Sequence, residues 1–321
     1  MELLEKLTKT FGPSGREHKI RELIKETVTP YVDEVYIDAL GNLIAHKKGN
    51  GKRIMLAAHM DEIGIIVTFI DYNGFIRFAP VGGLNTKDLL YNKVRFENGV
   101  LGVIGTEKDN KDRIISKMFI DIGAKNKEEA ENLLKIGDMA CFEGNFSATE
   151  NVIISKALDN RAGCYALIEV LKKADSENDL YFVFTVQEEV GLRGAKTSAY
   201  GIEPDMALAV DVTDTGDTPN TEEMAVKLGG GAAVKIMDRS VLCDSSVRCG
   251  LIEAAKRLEI PYQLEVMNDG GTDAGAISVS RAGVKTGGVS IPTRYIHSPS
   301  EMVNSEDIKN CITIINEFIK M

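Results

Sequence analysis

Apolar residues recur along the chain in three successive textures, and each predicts a different kind of structure. Glu2 to Thr10 reads as a short helix that Phe11-Gly12-Pro13 breaks. Ser14-Gly15-Arg16-Glu17 then has the Ser-x-x-Glu form of a capping box, with Ile20, Leu23, Ile24 and Val28 at helical spacing behind it, so a helix is expected to about Thr29. Val35 to Ile37, Leu43 to Ala45 and Arg53 to Ala58 look like strands separated by turn sequences, and the last ends at His59. From about residue 65 to 155 the pattern changes to short strands. Asn73-Gly74 and Asn98-Gly99 mark hairpins, and Lys127 to Leu134 is the one helical stretch.

After residue 155 helix and strand alternate. Helices are predicted from Asp159 to Lys173, after Arg193, near Ser245 to Leu258, near Ala274 to Ala282 and from about Ser305 to Lys320. The strands between them are Leu180 to Val186, Met206 to Val212, Tyr262 to Met267 and Val284 to Ile291. Such alternation implies an α/β sheet covered by helices on both faces. Residues 1–64 and 156–321 together are read as this α/β domain, with 65–155 as a β-rich insertion.

Composition narrows the function. Lys and Arg number 38 against 48 Asp and Glu, a net charge of −10, which opposes binding to nucleic acid or to anionic lipid. The longest apolar run, Ile63 to Ile70, falls well short of the roughly 20 residues that span a bilayer. Acidic Glu2 and Glu5 do not suit a secretory signal, and the five scattered cysteines contain no Cys-x-x-Cys pair, so a reducing cytoplasm is expected. Only His18, His46, His59 and His297 supply imidazole, so any metal site must be completed by carboxylates.

Four segments place an acid or an imidazole at the carboxyl end of a predicted strand or at the start of the next helix, the edge where open α/β sheets bind ligands. In Ala58-His59-Met60-Asp61-Glu62, residues two apart share a face of extended chain, so Asp61 can orient His59. Asp159 follows Ala157-Leu158, where it either caps the coming helix or serves as a ligand. Glu188 and Glu189 directly follow a strongly apolar strand, where adjacent carboxylates repel unless cations or protons compensate them. Asp211 ends another apolar strand, and His297 follows the strand ending at Ile291-Pro292. Together these residues can hold two divalent ions, whose charge is balanced by Asp159, Glu189, Asp211 and a bridging hydroxide. Mixed nitrogen and oxygen donors suit zinc, cobalt or manganese. Gly229-Gly230-Gly231 and Gly270-Gly271-Thr272-Asp273 lack the ending of a phosphate loop. Gly271, Thr272 and Asp273, with Thr293 and Arg294, are instead expected in the wall of a substrate side-chain pocket.

The ordered set Ala58-His59-Met60-Asp61-Glu62-Ile63-Gly64, Ala157-Leu158-Asp159-Asn160-Arg161, Gln187-Glu188-Glu189-Val190-Gly191, Asp211-Val212 and Tyr295-Ile296-His297-Ser298 resembles the tetrahedral aminopeptidase family of co-catalytic di-metal metallopeptidases, also labelled glutamyl aminopeptidase, deblocking aminopeptidase or endoglucanase M. The resemblance runs through the whole chain. It implies a mixed-sheet α/β fold of the di-metal exopeptidase type and a barrel-like dimerisation domain in the insertion. It also implies a homo-oligomer, a tetrahedral dodecamer, acting on peptides with a free amino terminus. In this family pattern Asp159 bridges two ions, His59 and Asp211 complete one site, and Glu189 and His297 the other. Glu188 becomes the general base that acts on a bridging water, Asp61 orients His59, and the Asp159–Asn160 peptide is cis. Two other readings stand beside it: a glycoside hydrolase using paired carboxylates, disfavoured by idle histidines and the absence of Trp, and a non-catalytic scaffold, disfavoured because every expected position is filled.

Overall fold

The computed structural model describes residues 1–221 and 224–321. Strands β1 (Glu34–Ile37), β2 (Leu43–Lys47) and β3 (Arg53–His59) begin a large sheet. The chain then leaves it for β4 (Gly64–Ile70), β5 (Ile76–Val81), β6 (Lys93–Phe96), β7 (Leu101–Thr106), β8 (Met118–Asp121) and β9 (Met139–Phe142). It returns through β10 (Ser147–Ala148), β11 (Val152–Ser155), β12 (Asp179–Thr185), β13 (Met206–Thr213), β14 (Ala232–Met237), β15 (Tyr262–Val266), β16 (Lys285–Arg294) and β17 (Glu301–Asn304). The sheet runs β1-β2-β12-β3-β13-β16-β17-β11-β10, and β14 and β15 branch from the side of β16. Strands β12, β3, β13 and β16 are mutually parallel and their neighbours antiparallel, so the sheet is mixed.

Helices α1 (Glu2–Lys9), α2 (His18–Val28) and α3 (Lys127–Leu133) precede α4 (Leu158–Lys173), α5 (Arg193–Ile202), α6 (Ser245–Arg257), α7 (Asp273–Ser278) and α8 (Ser305–Phe318). On one face α1, α2, α4, α6 and α8 bury Leu4, Leu7, Ile20, Ile24, Leu167 and Ile315 against Leu56, Phe182 and Leu208. On the other, α5 and α7 cover Met55, Val183 and Ala207 with Ala195, Ala199 and Ile277. The expected α/β sheet with helices on both faces is therefore present. Strands β4 to β9 close into a six-stranded antiparallel barrel with its own apolar core, including Ile65, Val67, Val94, Phe96 and Ile120. Its hairpins turn at Gly74 (φ +88°) and Gly99 (φ +94°), the two Asn-Gly pairs expected to do so. No helix among the described residues is long and apolar enough to cross a membrane.

Several local readings change. The capping box does not form: Ser14 Oγ donates instead to Asp61 at 2.6 Å, and the Glu17 carboxylate accepts from the Gly15 and Gln187 N–H groups, so α2 starts at His18 with no side-chain cap. Tertiary partners outcompete the local motif. Asp159 is not the cap of α4 either; Asn160 Oδ1 accepts from the Gly163 N–H at 3.0 Å and takes that role. Helix α7 ends at Ser278, before a turn with positive φ at Arg281 and Gly283. Strands β14 and β17 have no counterpart in the sequence pattern, and β11, a short strand in the 65–155 stretch, pairs with β17 in the large sheet; β17 and β11 consist of only four residues each.

Candidate metal centre

Parallel strands bring the acids to one edge. His59 closes β3 in register with Thr185, the last residue of β12, so Glu188 and Glu189 emerge beside it. Asp211 lies near the end of β13, opposite Ser290 of β16, and His297 sits in the turn that joins β16 to β17. Asp159 enters from the first turn of α4, where the backbone departs from helical geometry (φ −76°, ψ 107°) and the Asp159–Asn160 peptide is cis.

The two oxygens of Asp159 face different imidazoles. Oδ1 is 3.1 Å from His59 Nε2, and Oδ2 is 3.2 Å from His297 Nε2. His59 Nε2 also lies 3.5 Å from Asp211 and 4.0 Å from Glu188, while His297 Nε2 lies 3.2 Å from Glu189. All seven sequence-identified centre residues, His59, Asp61, Asp159, Glu188, Glu189, Asp211 and His297, thus converge. Asp61 does more than face His59. Its carboxylate is 3.6 Å from His59 Nδ1, whose nearer partner is the Asp61 carbonyl oxygen at 3.2 Å. The same carboxylate accepts from the backbone N–H groups of Glu188 (3.1 Å) and Glu189 (3.2 Å), pinning the acidic pair.

Burial and mutual repulsion govern the electrostatics. Burial pushes the Glu188 carboxyl well above its ordinary value, with Asp211 and Glu189 adding to the rise, and burial likewise raises Glu189 and Asp211. Burial opposes charge on His297, but its bonds to Asp159 and Glu189 override this and raise it to about 12. His59 is raised for the same reason, mainly by Glu188 and Asp211. Burial would lift Asp61, yet bonds from His59, Ser14 and the Glu188 N–H hold it low.

These residues suit a pair of divalent cations. Asp159, Glu188, Glu189 and Asp211 outnumber the two imidazoles, so the pocket stays acidic even with both rings protonated. Buried Lys235 cannot neutralise it, because its ammonium is committed to Glu265 and Asp238. Glu189 Oε1 is buried with no hydrogen-bond partner. The donor atoms of His59, Asp159 and Glu189, and those of His59, Glu188 and Asp211, each lie within 4.8 Å of one another. Nitrogen and carboxylate donors at such spacing are the donor set of borderline divalent metals.

A cleft of about 480 Å³ opens over the cluster, lined by Gly271, Thr272, Met267 and Leu192 as well as the acidic groups. Of the expected pocket residues, Gly271 and Thr272 lie in this wall. Asp273 sits beneath it, 2% exposed, accepting from Thr185 Oγ1 at 2.5 Å, and Thr293 is fully buried with its hydroxyl donating to the Ile291 carbonyl. Arg294 lines a neighbouring cavity of about 360 Å³ that shares Asp214 and Met267 with the cleft, and its guanidinium forks onto Asp217 at 3.0 and 2.7 Å. From the barrel side, Gly82 and Gly83 lean on the cluster so closely that a Cβ would stand 3.1 Å from the Glu189 side chain and 3.0 Å from His297 Nδ1. The sequence reading does not single out those glycines or Glu301, and it assigns Ser14 to a helix cap rather than to Asp61. Of these, Glu301 carries the clearest signal, an acid four residues after His297 in His297-Ser298-Pro299-Ser300-Glu301.

Known proteins resemble this chain in sequence and fold. A putative aminopeptidase of Acetivibrio thermocellus is 52% identical over 99% of this chain and 98% of its own length. The lysyl aminopeptidase of Pyrococcus furiosus is 37% identical over 99% and 96%. Among solved structures, an aminopeptidase from Desulfurococcus kamchatkensis superposes with a TM-score of 0.96 at 42% identity, covering 99% of this chain and 94% of that one. The Pyrococcus horikoshii TET1 peptidase, which can assemble into a tetrahedron or a large octahedral shell, superposes at 0.90 with 36% identity over 99% and 98%. With residues 41–314 also matching the family model of M42 glutamyl aminopeptidases, the chain belongs to that family and is a peptide-bond hydrolase.

Proposed function

We propose that this chain is a metal-dependent aminopeptidase that removes the first residue of short peptides, with Glu188 as general base. The observation that carries the reading is the geometry of Asp159, whose two oxygens address His59 and His297 separately. Asp159 would be shared by two ions, His59 and Asp211 completing one site and Glu189 and His297 the other. When bound, such a pair of ions supplies Lewis acidity, polarising a carbonyl and acidifying water. Zinc or cobalt suits the donors best, with manganese a further candidate.

The chain's own groups then divide the work. Glu188 takes a proton from the attacking water and passes it to the leaving amine; burial, which raises its proton affinity, suits it to both steps. Asp61 fixes the Glu188 backbone and faces His59 Nδ1, keeping Nε2 turned to the cluster. Gly271 and Thr272 border the space for the first side chain. Residues 65–155 act as a dimerisation domain of a homo-oligomer, tetrahedral in the family pattern, and the barrel exposes Phe69, Tyr72, Tyr91 and Ile136 for such contacts.

Chelation followed by reconstitution with zinc, cobalt or manganese tests the reading on aminoacyl anilides with acidic, basic and aliphatic first residues. Hydrolysis that returns only with metal, and only for free amines rather than N-acetylated substrates, is expected. Chelator-resistant cleavage of a β-glucan, with silence across the anilides, would instead establish a glycoside hydrolase.

A further inference from the structure

Glu301 opens β17 and is 2% exposed. Its Oε2 accepts from the Asp159 N–H at 2.9 Å, and its Oε1 accepts from the His297 N–H, also at 2.9 Å. Those two amides belong to segments far apart in sequence. Neither donates to a strand ladder: Asp159 lies in the irregular first turn of α4, and His297 has a left-handed backbone (φ 63°). Glu301 can reach both because β17 is sandwiched between β11, where Ser155 is its register partner just ahead of α4, and β16, which leads into the His297 turn.

We propose that Glu301 is a positioning residue for the metal pair: a single carboxylate clasps the backbones of Asp159 and His297 and so sets the spacing of the two side chains that would share the second ion. The assignment rests on the aminopeptidase reading above. Only a carboxylate offers two acceptor oxygens here; an amide turns one of them into a donor facing an N–H. The device parallels Asp61, which pins Glu188 and Glu189 through two amides in the same way. Glu301 touches no reacting atom, so its effect passes through metal affinity, where groups behind the ligands typically contribute about 10–100-fold.

The test is metal binding to the full-length protein, by elemental analysis after dialysis against limiting zinc and by calorimetric titration of metal-free protein. Glu301→Gln is expected to retain about one ion where the parent retains two, to bind the second at least tenfold more weakly, and to recover most of its kcat in excess zinc. Glu301→Asp, which keeps both acceptors on a shorter stem, is expected to fall between, and it carries the test if the amide does not fold. Parent-like affinity for both ions in both variants would overturn the proposal, as would a lowered unfolding midpoint of metal-free protein with metal affinity untouched. His297→Ala separates the two levels. If it loses metal while Glu301→Gln does not, only the clasp fails; if it too keeps both ions, His297 is no ligand and the ligand set on which the clasp rests fails with it.

Discussion

The barrel and the carboxyl edge of the sheet bury side chains with comparable completeness and opposite chemistry. Inside the barrel, Ile65, Val67, Val94, Phe96 and Ile120 are at most 2% exposed and wholly apolar. At the sheet edge, His59, Asp61, Asp159, Glu188 and Asp211 are each at most 9% exposed and all ionisable. Apolar burial is stabilising by itself, whereas buried acids are tolerated only when amides, imidazoles or cations meet them. The barrel therefore contributes shape and stability, and the sheet edge accepts an unfavourable arrangement that only a function explains.

Three perturbations sharpen that contrast. Glu188→Gln strikes the edge alone: turnover is expected to fall by about 10²–10⁴-fold while metal content and unfolding midpoint stay at parent values, as anilide kinetics and elemental analysis would establish. Phe96→Ala strikes the barrel alone. It should cost about 3–5 kcal/mol in denaturant unfolding, with kcat per folded molecule unchanged; a large loss of kcat at full folding would erase the division of labour. The smallest effect concerns the partly exposed Arg294–Asp217 pair beside the cleft. The Arg294 fork holds the Asp217 carboxyl at about 2, below its ordinary 3.8. The pair's stabilisation is thus present above about pH 4 and vanishes as pH falls toward 2. Arg294→Gln should remove no more than about 1 kcal/mol above about pH 4, less in high salt, and nothing near pH 2, as urea midpoints between pH 2 and 5 would reveal. A flat difference across that range would contradict the sign.

The sequence disclosed the centre better than its supports. Apolar runs ending in His59, Glu188 and Asp211 identified strand ends because a parallel strand buried on both faces is apolar throughout, so a terminal acid stands out. Asp159 was ambiguous, since an acid before a helix is ordinarily a cap; only the structure reveals Asn160 in that place. Ser14 misled, because its local capping pattern is satisfied 47 residues away by Asp61. Glu301 is visible in the sequence four residues after His297, but its purpose is not, since its partners are backbone N–H groups, which every residue except proline has. Asp273 and Thr293 look like pocket residues in sequence yet are buried, Asp273 at the start of α7 against Thr185 and Thr293 inside β16 with its hydroxyl on the Ile291 carbonyl.

The nearness of Gly82 and Gly83 to Glu189 and His297 constrains how the molecule can be rebuilt. Only four residues separate the end of β3 at His59 from the start of the barrel at Gly64, and Gly82 itself has φ +84°, so the insert is not a detachable appendage. A transplant that exchanged this barrel for another module of equal size would have to reproduce both the short tether and the bare backbone against those two side chains. Without them, the graft would fold and leave the donor cluster unwalled on one side.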